Sequence, residues 1–215
     1  MRWLHRGILI SALVLLAGAL QAAPLSRARA LQSLGQAEPA QRLAGVDRLA
    51  EIGRGPDADR VAVLLADADP QVREAAATAM WLIWSRSGDA AIDARFKDGV
   101  GQMQAGALDD ALATFNEIVR RRPTFAEGWN KRATVRFMLG DDEASLQDCR
   151  EALKRNPLHF GALSGMAHIH LRRGDAEQAL QAYTRALQAN PNLEDGPAML
   201  ELLEEAVRHQ GGYRI

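Results

Sequence analysis

The residues of this chain that could do chemistry do not assemble into a site by spacing. His168 and His170 are two apart, roughly 200° around a helix, and so cannot chelate one ion. His159 is near them in sequence, but no carboxylate or second thiol completes a ligand set. Gly99-Val100-Gly101 lacks the third glycine and the preceding strand of a phosphate-binding loop. Gly161-Ala162-Leu163-Ser164-Gly165 has its serine one place off the nucleophile-elbow spacing and lies where a helix is expected. Cys149 is the only cysteine, so no intramolecular disulfide can form. The expectation is a non-enzymatic chain with no catalytic residue, no cofactor and no metal site.

Composition narrows the role further. A net charge of −1 with no basic stripe gives no reason to expect nucleic acid as a partner. The 47% hydrophobic content is inflated by alanine and only 5% of residues are aromatic, a mixture that favours helices over sheets. At the N-terminus, Arg2 and Arg6 precede an apolar run from Gly7 to Leu20, with small residues after it. That is the layout of a secretory signal peptide over residues 1–22. The run is shorter than the roughly 20 residues needed to span a bilayer as a helix. Cleavage is expected after Ala19 or Ala22, leaving a net charge near −3 and placing the chain in the periplasm or outside the cell. Membrane contact is expected only if this segment stays uncleaved.

The elements that would position any site are helical. From Pro39, the residues Leu43, Val46, Leu49, Ala50 and Ile52 recur at helical spacing until Gly53-Arg54-Gly55-Pro56 makes a turn. Asp57 is expected to cap a second helix carrying Val61, Val63, Leu64 and Leu65, and Asp69-Pro70 to open a third that runs to about Arg86. Leu64-Leu65, then Asp67-Ala68-Asp69-Pro70-Gln71-Val72-Arg73 and the alanines to Ala79, resemble one HEAT repeat within a segment 23–88. Trp81 and Trp84 share a face of that last helix and are expected to seal it against the first helix of the next segment, the alternative being a partly exposed aromatic anchor for a ligand.

That segment, from Ile92 to Pro191, repeats one pattern three times. Pro123, Pro157 and Pro191 are 34 residues apart, and Gly106, Gly140 and Gly174 keep the same spacing, as do Leu112, Leu146 and Leu180. Phe115, Cys149 and Tyr183 recur in step, which predicts that Cys149 is a buried, space-filling thiol. Each unit has two apolar runs parted by a glycine, acidic residues opening the second run and, in the first two units, basic residues closing it. This period, with Trp129, the small residues Gly99, Ala133 and Ala167, and Ala111, Ser145 and Ala179, resembles the tetratricopeptide (TPR) repeat family. Units 92–125, 126–159 and 160–193, within a region 89–193, are expected to form an all-α, right-handed α-solenoid of helix-turn-helix repeats. A capping helix and tail over 194–215 would close it.

The resemblance implies where a partner would bind. In that family the first helix of each unit lines a concave groove. The positions that would face it here are Phe96, Val100 and Met103, then Glu127, Asn130, Thr134 and Phe137, then Ser164, His168 and Arg172, the alternative for Phe96, Val100 and Met103 being packing against the helix of Trp81 and Trp84. The family's clamp for C-terminal carboxylates needs a Lys and an Asn in its first repeat, where this chain has Phe96 and Val100, so that specificity does not carry over. The expected role is an exported scaffold or adaptor for a protein or peptide partner. The alternative is a membrane-tethered accessory subunit that organises an envelope enzyme complex.

Overall fold

In a computed structural model, which describes residues 23–211, the chain folds as helices joined by short turns, with no strand among the described residues. The first four helices are α1 (Arg27–Ser33), α2 (Pro39–Ile52), α3 (Asp57–Ala62) and α4 (Pro70–Trp84). Asp69 caps α4 by accepting from the backbone N–H of Gln71 (2.8 Å) and Val72 (3.4 Å), with Pro70 at the first helical position. Their apolar faces meet in one core running from Ala30 to Trp84.

The second helix of this module departs from expectation. It lasts only from Asp57 to Ala62 and then tightens into a 3-10 turn over Val63–Ala66, which leaves Val63 73% exposed while Leu64 and Leu65 stay buried. Asp57 is not its cap. It is a buried residue of the first turn that accepts from Arg54 N–H (2.8 Å) and Arg27 Nε (2.8 Å), tying α1 to the turn before α3.

The next six helices pair as α5 (Ala90–Gln104) with α6 (Leu108–Arg121), α7 (Ala126–Met138) with α8 (Asp142–Arg155), and α9 (Phe160–Arg172) with α10 (Ala176–Ala189). The turn inside each pair is fixed by Gly106, Gly140 or Gly174 at φ between +76° and +83°, which side chains with a Cβ resist. At Gly140 the backbone closes in a Schellman pattern, Gly140 N–H to Phe137 O (3.1 Å) and Asp141 N–H to Arg136 O (2.9 Å). Within the pairs, Ala111, Ala133, Ala167 and Ala179 are buried where helices approach closely, and the Ser145 hydroxyl donates to Ala133 O (2.7 Å). Phe115, Cys149 and Tyr183 fill equivalent core positions, and burial pushes the Cys149 thiol up to about 12.

Successive first helices (α5 to α7, α7 to α9) approach each other more closely than successive second helices do, so the stack curves with α5, α7 and α9 inside. The result is an all-α solenoid. Helix α11 (Gly196–Gly211) closes it, with Leu203 fully buried in the cluster of Ala167, Ala179 and Tyr183. No described helix is long and apolar enough to cross a membrane, and the expected signal peptide lies outside the described residues.

Candidate interaction groove

The inner face built by α5, α7 and α9 holds a polar knot and two indoles. His159 caps α9. Its Nδ1 accepts from the Ala162 N–H (3.2 Å), so the ring proton sits on Nε2 and points at Glu127 Oε2, 2.7 Å away. Asn130 donates to the same Oε2 (3.1 Å). Lys131 Nζ lies 3.2 Å from Glu127 Oε1, an ion pair by distance whose angle does not make a hydrogen bond. Burial pushes the Glu127 carboxyl up, but the His159 hydrogen bond and the Lys131 ammonium outweigh it and hold it below the usual carboxylate range.

Helix α4 lays its aromatic face on this knot. Trp84 stacks on the His159 ring with centroids 4.7 Å apart, and Trp81 meets Phe160 edge-on at 4.9 Å. Lys131 Nζ sits 5.4 Å from the Trp81 ring centroid. Gly161 makes room for the indole, since a Cβ there would stand 2.3 Å from Trp81 Cη2. Trp81 and Trp84 therefore do not seal α4 against the first repeat helix, as their proximity in sequence suggests. They reach across to the start of the third repeat.

That docking corrects several groove positions. Glu127 and Asn130 are buried rather than open to a partner, because the carboxylate is closed off by His159, on which Trp84 stacks. Phe96 is also buried, its ring against Phe115 (5.9 Å) and Phe125 (5.4 Å), and Val100 and Met103 pack half-buried on the same cluster. Thr134 is half-buried and returns its hydroxyl to Asn130 O (3.0 Å). Arg172 is exposed but engaged. It lies 3.7 Å over the Phe137 ring, bonds Phe137 O (3.0 Å) and pairs with Asp142 (3.1 Å), so it is not a bare cation awaiting a carboxylate. Ser164 and His168 are half-buried, and Ser164 lines a cleft of about 460 Å³ between α4 and α9. The other expected groove positions, Val100, Met103, Thr134, Phe137, Ser164 and His168, are half-buried.

Sequence reasoning missed His159, Lys131 and Gly161 as partners of Trp81 and Trp84. The available signal was Gly161, a glycine at the helix position that holds Glu127 in the preceding unit. A second cleft of about 970 Å³, where the N-terminal module meets the repeat loops, is rimmed by Arg54, Arg86, Arg122 and Arg155. Three of these are engaged: Arg86 with the carbonyls of Leu49, Ala50 and Gly53, Arg122 with Ser87 O, and Arg155 with Glu151. Among the described residues, no group of three or more His, Cys, Asp or Glu could hold a metal.

Tetratricopeptide repeat models match residues 98–160 and 160–193. The chain carries tetratricopeptide repeats. It is similar to the TPR repeat-containing protein RHE_CH03534.1 of Rhizobium etli, 29% identical over 85 residues, which cover 40% of this chain and 42% of that relative. Among solved structures it is similar to the first TPR of Spaghetti (RPAP3) bound to the HSP90 peptide SRMEEVD, at 20% identity and a TM-score of 0.53, over 54% of this chain and 93% of that one. It is also similar to the TPR2B domain in the pHsp70 complex of yeast Sti1, at 17% identity and a TM-score of 0.52, over 56% of this chain and 99% of that one. At these identities the likeness is one of fold.

Proposed function

We propose that this TPR chain is a non-enzymatic scaffold or adaptor that holds a protein or peptide partner in the groove lined by α5, α7 and α9. The observation that carries the reading is that Val100, Met103, Thr134, Phe137, Ser164 and His168, which the repeat register assigns to the inner face, are half-buried and so in part open to a partner, apolar in the first unit and polar in the third. Such a surface suits an extended or helical segment with an apolar anchor. The Spaghetti repeat bound to an HSP90 peptide and the Sti1 repeat in its pHsp70 complex support the class of role. The departures at Phe96 and Val100 argue against reading a C-terminal carboxylate.

The N-terminal layout of residues 1–22 supports an exported, periplasmic or secreted scaffold. The rival is a membrane-tethered accessory subunit organising an envelope enzyme complex, and N-terminal sequencing separates them. A mature end at Leu20 or Ala23 is expected, and an intact Met1 in membrane fractions would reverse the assignment. The function itself is tested by affinity capture from envelope extract with mass spectrometry. Phe137→Ala plus His168→Ala should lose the captured proteins while keeping the helical circular dichroism signal. Undiminished capture by that variant would remove the groove from the mechanism.

A further inference from the structure

An array whose units touch only their neighbours bends and frays at each interface between units. The N-terminal module breaks that pattern. In sequence it adjoins the first repeat, yet the hydrophobic cluster of that repeat, from Ile92 to Val135, takes in none of its residues. A cleft of about 970 Å³ lies between the module and the loops that end the first two repeats. The module packs on the third repeat instead. Its core, from Ala30 to Trp84, includes the buried Phe160, and Ala189 and Leu193 pack against it. These residues mark the two ends of that repeat. Trp84 stacks on His159, Trp81 meets Phe160 edge-on, and Asn192 donates to Leu65 O (2.7 Å) across 127 positions of sequence.

The other end of α4 is held as well. The Ser87 N–H (2.7 Å) and hydroxyl (2.6 Å) both donate to Asp93 Oδ1 in α5, and Arg122 donates to Ser87 O (3.2 Å). The first and third repeats are therefore tied by a second path, one that does not run through the repeat interfaces. Rotation between α6 and α7, or between α8 and α9, would pull Phe160 and Asn192 away from the module. Close packing opposes that shift, since it opens voids. The fit at Gly161 has no slack, because a Cβ there would stand 2.3 Å from Trp81 Cη2.

We propose that the N-terminal module is a brace across the inner face, which fixes the curvature of the three repeats and so presets the width of the groove. The fixed curvature stands on these contacts alone; its consequence for a partner rests on the scaffold reading. A groove already held at its working width binds without the cost of ordering it first.

The test uses the full chain. Asp110 on α6 and Gln178 on α10 are exposed, and Cys149 is buried. Spin labels on Asp110→Cys and Gln178→Cys report the distance between the first and third repeats by pulsed electron paramagnetic resonance. The otherwise unchanged chain should give one narrow distribution. Trp81→Ala with Asn192→Ala cuts the brace, and the distribution should widen about twofold or more while the helical circular dichroism signal holds. Gly161→Leu pushes the module off from the solenoid side and should widen it too. Equal widths in all three chains, or loss of helical signal in both variants, would overturn the brace. A widened distribution with no envelope protein captured by the wild type rejects the scaffold reading and keeps the brace. Capture by a chain whose distribution never widens gives the reverse.

Discussion

Glu127→Ala is the most direct probe of how the solenoid's inner face is built. The carboxylate is 1% exposed and serves three neighbours: His159 at 2.7 Å, Asn130 at 3.1 Å and Lys131 at 3.2 Å. Removing it strands a buried imidazole N–H and an amide, and leaves an ammonium without its counter-charge beneath the tryptophans. Breaking a buried charged pair by deleting one partner costs about 3–5 kcal/mol. At roughly 2–4 °C per kcal/mol for a chain of this size, the melting temperature should fall by about 6–20 °C. Glu127→Gln keeps an oxygen that accepts from His159 and should cost about 1–3 kcal/mol. The assay is urea unfolding followed by tryptophan emission and by circular dichroism, so that loosening of α4 and loss of the repeats are read separately. Adding His159→Ala closes a double-mutant cycle, and strong coupling between the two positions is expected. A solvent-facing groove residue would give a change of about 0.5 kcal/mol or less. That result for Glu127→Ala would refute the buried knot.

Other parts of the molecule carry separate tests. Ala179→Leu or Ala111→Leu overpacks a helix pair and should destabilise by about 1–3 kcal/mol in the same unfolding assay. The Cys149 thiol, held up at about 12 by burial, should stay unreactive toward an aromatic disulfide reagent at pH 8 until urea unfolds the second repeat. In acid the N-terminal module should loosen. The carboxyls of Asp67, bonded to Arg42, and of Asp57, where Arg27 and the Arg54 amide outweigh burial, sit below the usual range. Their stabilisation is present above the unfolded carboxyl pKa of about 3.9 and is lost as pH falls through the lowered folded values. Thermal melts from pH 6 to pH 2.5 should show that loss, and it should shrink in Asp67→Asn.

Much of the solenoid is legible in the residues themselves because its causes are local. A 34-residue period places a glycine at each tight turn and a small residue at each close approach, as at Gly140 with Ser145. Proline and acidic residues mark where helices begin, as Asp69-Pro70 does for α4. The repeats then stack because each has one unpartnered apolar face, which is why Cys149 could be read as core from Phe115 and Tyr183.

The groove is a different matter, because its occupancy depends on a contact with no periodic signal. Trp81 and Trp84 meet His159, Phe160 and Gly161 only after the intervening helices have curved the chain back on itself. Glu127 and Asn130 hold the repeat positions their spacing assigns them, yet they are buried by His159 of the next repeat boundary, on which Trp84 of the N-terminal module stacks. Arg172 likewise has its charge answered by Asp142, a residue of the neighbouring repeat. Sequence spacing determines which side chains share a helix face. What lies opposite that face is determined by the rotation between modules, which only the folded chain defines.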